Sequence, residues 1–185
     1  MIKDFRKKAA EDLRKIKSVF DKRDVEFFAV CGTALGAVRE SDFLLWDDDI
    51  DLAVIQLVSA SVKQKIVRDL MALGMRANCA GHGLDARISI RGNTLTAIHF
   101  LVRLKDGYYF RWPREHEGFK MPLEFVEKLE EANLGDIKIL VPSPPELYLV
   151  YEYGSTWKTP MKNGDPSHNP EKNRRQKKGD IKFGT

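Results

Sequence analysis

Apolar positions along the chain follow a helical period in some segments and a strand-like pattern in others. Between residues 4 and 22 the apolar side chains are spaced three or four apart, which predicts an amphipathic helix. The same spacing predicts a second helix from Ser61, ended by Gly74. Residues 145–153 combine a proline start with high apolar content, which predicts a third helix.

Short apolar runs rich in β-branched and aromatic residues predict strands between these helices. They cover residues 25–31, 44–55, 87–90, 95–104 and 135–141. A short helix over residues 34–39 follows Gly32, with Thr33 as its N-cap. Asp106 and Gly107 between two apolar runs predict a tight hairpin. Because helices and hairpins are interspersed, the pattern favours an α+β fold over a doubly wound sheet.

Composition narrows the class of protein. The chain has 185 residues, of which 43% are hydrophobic and 31% charged, as in an ordinary globular domain. Its two cysteines, Cys31 and Cys79, lie far apart without histidines at ligand spacing, so we expect neither a disulfide scaffold nor a cysteine-based zinc site. We expect no transmembrane segment, because no run of about 18 apolar residues occurs. The first residues lack signal-peptide features, which predicts a cytoplasmic protein.

Positive charge is concentrated near the end of the sequence. The chain carries 31 Lys and Arg against 27 Asp and Glu, and residues 172–182 contain a single acid among many bases. This segment can be a solvated tail or a contact surface for phosphate-bearing partners, and composition does not choose between them. We predict a folded domain over residues 1–160 and a flexible basic tail over 161–185. We do not expect a nucleic-acid partner, because no reading helix or stacking sheet is recognisable.

The most informative acidic residues lie at the start of a predicted strand. Asp49 and Asp51 share one face of that strand, about 7 Å apart at Cα, and Asp47 lies on the same face one step earlier. Carboxylates on one face can bind one hard cation, and oxygen ligands favour Mg²⁺ or Mn²⁺. A calcium loop is excluded, because Leu52 stands where that loop needs Gly and Val58 where it needs Glu.

A glycine-containing motif precedes these aspartates. Gly32 and Gly36 permit close approach of the backbone to a ligand, and the N–H groups at a helix start bind anions. Arg39, at the end of the short helix, is suited to binding phosphate oxygens. A phosphate cradle beside a metal site is the arrangement needed for phosphoryl or nucleotidyl transfer.

These motifs resemble a known family. The sequence Gly-Thr-x-Leu-Gly-x-x-Arg at residues 32–39, followed by Trp-Asp-Asp-Asp-Ile-Asp at 46–51, is similar to the LicD and fukutin-related family of the nucleotidyltransferase superfamily. Residues 141–147 and 153–160 add supporting similarity, so the resemblance covers about residues 25–160. It implies the fold of the DNA polymerase beta palm: a mixed β-sheet flanked by helices, here with a hairpin extension and an irregular basic C-terminal tail.

The resemblance also implies an activity. Members of this family move a phospho-alcohol, such as phosphocholine or ribitol phosphate, from a CDP-linked donor to a sugar hydroxyl. Accordingly, Asp49 and Asp51 would hold Mg²⁺ or Mn²⁺, Gly32 and Thr33 would contact phosphate, and Asp47 would belong to the catalytic site. The implied partners are a nucleotide-diphosphate-linked donor and a glycan or other hydroxyl acceptor.

Several further residues are candidates for the site. His99 stands where relatives carry a third carboxylate, and it can be a metal ligand, a general base or an ordinary strand histidine. We also assign Asp48, Gly36, Arg39 and Lys158 to substrate binding. Two alternatives stay open: a nucleotidyltransferase that transfers NMP from an NTP, and a catalytically degenerate nucleotide-binding relative.

Overall fold

The computed structural model describes residues 2–81, 86–111, 117–160 and 175–177. Within these residues it has four α-helices and a short 3-10 helix at Leu123–Phe125. The α-helices are α1 (Ile2–Asp21), α2 (Cys31–Arg39), α3 (Ala60–Ala72) and α4 (Pro145–Tyr153). None of the described helices has both the length and the apolar character that a membrane span requires.

The strands form two sheets. Their bounds are β1 (Phe28–Ala29), β2 (Asp49–Val54), β3 (Arg76–Ala80), β4 (Arg87–Arg91), β5 (Leu95–Phe100), β6 (Val102–Leu104), β7 (Gly107–Arg111), β8 (Glu117–Pro122), β9 (Leu129–Leu134), β10 (Ile137–Pro142) and β11 (Arg175–Lys177). The larger sheet has the order β3-β4-β5-β2-β1-β10-β9, and the smaller one β11-β8-β7-β6. In the larger sheet β2 runs parallel to β5, and β1 runs parallel to β10. The predicted α+β fold with a mixed sheet and flanking helices is confirmed.

The two faces of the larger sheet differ in chemistry. On β2, the buried Ile50 and Leu52 alternate with the half-buried Asp49 and Asp51. Helices α1 and α3 cover the apolar face, where the Lys63 ammonium of α3 lies 4.3 Å from the Phe100 ring centroid. The aspartates therefore lie on the opposite face of the sheet. This face carries exposed or half-buried residues on β3, on β4 and at the start of β5.

The predicted helices over residues 4–22, 61–74 and 145–153 are confirmed to within about three residues at each end. The strand segments needed more correction. The strand predicted over residues 25–31 is only two residues long, and the one predicted from residue 44 begins at Asp49. Residues 95–104 form two strands, because the chain leaves the larger sheet at Leu101 and enters the smaller one. Strand β3 was not predicted.

The start of α2 also differs from the prediction. The helix begins at Cys31, so Thr33 lies inside it and Val30 occupies the N-cap without a side-chain hydrogen bond. Thr33 does not act as the cap because its Oγ1 accepts a hydrogen bond from the Asp51 N–H, at 2.9 Å. The hydroxyl therefore joins α2 to β2.

The second sheet accounts for part of the predicted extension and tail. Strands β6 and β7 form the predicted hairpin, but its turn residues are Lys105 and Asp106, one position earlier than predicted, and Gly107 is the first residue of β7. Arg175–Lys177 pair with β8, so these three residues are not irregular as expected. Residues 161–174 and 178–185 of the predicted tail lie outside the described residues.

A buried carboxylate on α1 fixes the turn before β5. Asp12 is fully buried, and its oxygens accept hydrogen bonds from Thr94 N (2.7 Å), Thr94 Oγ1 (3.0 Å) and Asn93 Nδ2 (3.1 Å). We expect Asp12→Ala to lower the free energy of unfolding by about 2–4 kcal/mol, because it leaves the buried Thr94 donors unpaired. Urea denaturation would measure this loss, and an unchanged midpoint would contradict the assigned role.

Candidate active site

Three consecutive carboxylates converge at the start of β2. One oxygen from each of Asp47, Asp48 and Asp49 lies within 4.8 Å of the other two. Asp51 is outside this group and lies one pleat further along the same face. The structure thus brings Asp47 and Asp48, which precede the strand, as close to Asp49 as metal ligation requires.

This cluster is electrostatically costly when it holds no cation. Burial, together with the charges of Asp49 and Asp51, raises the pKa of Asp47 to about 7. Burial, together with the charges of Asp51 and Asp48, raises the pKa of Asp49 to about 6. The neighbouring carboxylates repel one another when all of them are ionised. A hard divalent cation bound to their oxygens would offset this repulsion. The side chains therefore fit Mg²⁺ or Mn²⁺.

The raised pKa values predict that stability depends on pH. Asp47 and Asp49 bind protons more tightly in the folded protein than in the unfolded chain, where their pKa is near 3.8. Their stabilising contribution is therefore complete below about pH 4 and is lost as the pH rises through 6 and 7. In chelator, we expect the Tm to fall from about pH 5 to pH 8 by more than it does in Asp47→Asn. Parallel Tm profiles for the two proteins would contradict this.

Helix α2 begins directly against the aspartates. A Cβ added at Gly32 would lie 2.5 Å from Asp47 Oδ2, closer than any side chain permits. Only glycine therefore lets the first turn of α2 approach Asp47 in this way. The Thr33–Asp51 hydrogen bond holds the same turn to β2, so the Gly-Thr motif and the aspartate motif share one site.

Cys31 and Tyr148 position this first turn further. Cys31 has a φ of 50°, a left-handed conformation that is uncommon for a residue other than glycine. Its N–H donates to Tyr148 Oη at 3.0 Å, and Tyr148, on α4, is fully buried. Sequence reasoning missed Tyr148, because an aromatic residue in an apolar helix has the same pattern as one that only fills the core.

Arg39, the predicted phosphate contact, lies between the loop before Asp47 and the Trp157 segment. Its side chain is 7% exposed, with Nε donating to Glu40 Oε1 at 2.9 Å and Nη1 to the Trp157 carbonyl at 3.0 Å. Its guanidinium also lies 5.4 Å from the ring centroid of Trp46, which is 44% exposed beside the aspartates. Because the guanidinium is enclosed, Arg39 ties the loop before Asp47 to the Trp157 segment.

Two other predicted substrate-binding residues, Gly36 and Lys158, have described contacts with residues outside the aspartate cluster. Gly36 is buried, and a Cβ there would lie 2.6 Å from the Asp42 carbonyl oxygen, so close packing requires glycine at this position. Lys158 is exposed, with Nζ 3.6 Å from Glu146 Oε1 and 5.2 Å from the Trp157 ring centroid. The described contacts join Lys158 to α4 and not to the aspartates.

His99 lies behind Asp51. The β2–β5 register places Ala97 beside Asp51 and His99 beside Ala53, two residues further along the same face. His99 Nε2 is 3.9 Å from Asp51 Oδ1, and the Phe110 ring centroid is 4.3 Å from that of the imidazole. The residue is 1% exposed, so the imidazole is enclosed between Asp51 and Phe110.

A solved structure supports the fold. The solution structure of the antibiotic-resistance factor ANT(2'')-Ia superposes with a TM-score of 0.53 at 17% identity, covering 88% of this chain and 80% of that one. At this identity the similarity establishes the fold alone.

Sequence relatives are more informative. The chain is 24% identical over 168 residues to the human (Homo sapiens) protein "Ribitol-5-phosphate transferase FKTN" and 25% identical over the same length to its Macaca fascicularis counterpart. These matches cover 90% of this chain but only 36% of each relative, so the chain spans about a third of their length. Residues 24–144 match the family described as LicD/FKTN/FKRP, nucleotidyltransferase domain. The match includes the first turn of α2, the aspartate cluster and His99, and the chain belongs to this family.

Proposed function

We propose that this protein is a divalent-metal-dependent phosphotransferase. It would move a phospho-alcohol of the ribitol-phosphate or phosphocholine type from a CDP-linked donor to a sugar hydroxyl. The observation that carries the proposal is the convergence of Asp47, Asp48 and Asp49 against the first turn of α2. Family membership supports the same reaction class, since its named relatives are ribitol-5-phosphate transferases.

The aspartates would hold the cation. Asp49 is the central ligand in this proposal, because it belongs to the close cluster and shares a strand face with Asp51. Asp47 and Asp48 offer further oxygens within reach. When bound, Mg²⁺ or Mn²⁺ would neutralise negative charge on the donor's diphosphate and on the leaving group.

The chain's own residues would orient the reactants. The turn at Gly32 and Thr33 would hold diphosphate oxygens with backbone N–H groups beside Asp47. The acceptor's hydroxyl oxygen forms a bond to the phosphorus that bears the alcohol. The bond from that phosphorus to the bridging oxygen breaks, and CMP leaves with the electron pair. The hydroxyl proton passes to a carboxylate of this face or to water. His99 would act through Asp51 as a positioning residue.

Product analysis tests this proposal. The protein would be incubated with CDP-ribitol, CDP-choline or an NTP, together with a panel of sugars, in Mg²⁺ or in chelator. Mass spectrometry would identify the products. We expect the acceptor to gain the phospho-alcohol with one CMP released per transfer, only in the presence of metal. A nucleotide added from an NTP would instead identify a nucleotidyltransferase. Metal-dependent binding of the donors without any turnover would identify a degenerate binding relative.

A further inference from the structure

The face of the sheet that carries the aspartates continues into a basic surface. Strand register aligns four residues in one row across β2, β5, β4 and β3: Asp49, Leu95, Arg91 and Arg76. Because neighbouring strands lie about 4.8 Å apart, Arg91 is about 10 Å and Arg76 about 14 Å from Asp49 at Cα. One substrate lying across the strands can therefore reach both the aspartates and the arginines.

The two arginines form a like-charged pair. Arg76 and Arg91 are directly opposite each other in the antiparallel β3–β4 pair, and both are exposed. Like charges placed opposite across strands are destabilising. Neither arginine side chain makes a hydrogen bond or an ion pair with any residue that the structure describes. A bound anion would relieve the repulsion and use both guanidinium groups.

Three arginines around α1 are matched by acids. Those on α1, and the one that follows it, each pair with an aspartate: Arg6 with Asp42, Arg14 with Asp136 and Arg23 with Asp69. The β3–β4 pair therefore differs from the paired arginines around α1. The next row of the same face places Ser89 opposite Asn78, which adds neutral hydrogen-bonding groups beside the arginines.

The surface between the two charged ends is small and apolar. Leu95, which is exposed, and Ala97 occupy the β5 positions between the aspartates and the β4 residues. They offer no side-chain hydrogen bond, and the apolar side of a sugar ring can be buried against them. The donor's own diphosphate belongs at the aspartate end with the cation, so a negative group at the arginine end would come from the other substrate.

We propose that Arg76 and Arg91 bind a negatively charged group, a phosphate or a carboxylate, on the acceptor. This group would lie one or two sugar units from the hydroxyl that reacts above Asp49. The inference rests on the proposed function and specifies its acceptor as an anionic glycan. It assigns strand β3 a role in acceptor selection.

Anion binding tests the surface without requiring catalysis. Arg76→Gln/Arg91→Gln is compared with Lys65→Gln/Arg68→Gln, which removes the same charge from exposed positions of α3 on the opposite side of the sheet. Inorganic phosphate and, separately, acetate are titrated at low ionic strength while backbone amide NMR shifts are followed. We expect shifts on β3 and β4 in the natural protein and in the α3 variant, and binding at least about tenfold weaker in the β3–β4 variant. The stronger of the two anions indicates whether the acceptor's charge is phosphate or carboxylate. Equal anion binding by both double variants would overturn the proposal.

Kinetics test the acceptor assignment. We expect Arg76→Gln/Arg91→Gln to lower kcat/KM for a phosphorylated or carboxylated acceptor at least about tenfold, with unchanged kcat/KM for its neutral analogue. Equal losses for charged and neutral acceptors would overturn the assignment, as would single-stranded RNA binding through these arginines more tightly than the anionic sugars. Asp49→Asn separates the two proposals, because it should abolish turnover and leave phosphate binding by Arg76 and Arg91 unchanged. If the protein is not a transferase, neither it nor its variants show turnover. Phosphate binding still tests the role of Arg76 and Arg91 in that case.

Discussion

Asp49→Asn is expected to abolish transfer while leaving the protein folded. Asn preserves the shape of the side chain but removes the charge at the one position shared by the close cluster and the strand face. Loss of a cation-binding carboxylate should lower kcat/KM by at least about a thousandfold. Because the charge of Asp49 also raises the pKa of Asp47, the metal-free variant should melt at a higher temperature than the natural protein near pH 8.

Asp136→Asn is the matched control for this variant. Asp136 is exposed and pairs with Arg14 on α1, well away from the aspartate cluster in sequence. An exposed ion pair contributes at most about 1 kcal/mol, so the control should keep its turnover and lose little stability. Steady-state kinetics over a Mg²⁺ titration, with a Tm for each protein, would measure both. Turnover of Asp49→Asn within about tenfold of the natural protein would refute the role of Asp49 in catalysis.

The sequence alone predicted those features that depend on residues close together in the chain. The periodicities of α1 and α3 each come from one apolar face, and α4 was predicted from its proline start and apolar content; all three helices are present. The alternation of Asp49 and Asp51 with Ile50 was also correct, because a strand's two faces follow from the backbone alone. Family motifs then supplied the functional class, which no periodicity contains.

The remaining features depend on contacts between distant segments. Strand β3 lacks the β-branched and aromatic residues of an obvious strand, and it forms because β4 pairs along its whole length. Thr33 is a residue type that often caps helices, but its hydroxyl instead accepts a hydrogen bond from the Asp51 N–H of β2. Arg39 is enclosed by Trp46 and by the carbonyl of Trp157, and Trp157 is 118 residues further along the chain. No local signal contains such partners.

The acidity of the site was only partly foreseeable for the same reason. Repulsion among neighbouring aspartates follows from the sequence, and such repulsion raises the pKa values of carboxyl groups. The largest cause at both Asp47 and Asp49 is burial, which depends on how α2 and the neighbouring elements close over the strand. The inclusion of Asp48 in the close cluster likewise reflects the turn before β2, where strand alternation no longer applies.

The two glycines of the first motif should respond to alanine in opposite ways. At Gly32 the new Cβ would displace the Asp47 carboxylate, which it meets at 2.5 Å. A side chain can move aside, so the fold should survive with a free energy of unfolding changed by less than about 1 kcal/mol, helped by the better helix propensity of alanine. Activity should fall by about a hundredfold, because an error of about 1 Å in a catalytic group has that effect.

At Gly36 the new Cβ would meet backbone instead. It would lie 2.6 Å from the Asp42 carbonyl oxygen and 3.2 Å from the Leu44 nitrogen, and neither atom can rotate away. Gly36→Ala should therefore lower the free energy of unfolding by about 1–3 kcal/mol, as overpacked cores do. Denaturant titration and kcat/KM, measured on both variants, separate the two effects. If Gly32→Ala stays fully active, Asp47 does not need its observed position, and the contact between α2 and the aspartates is structural alone.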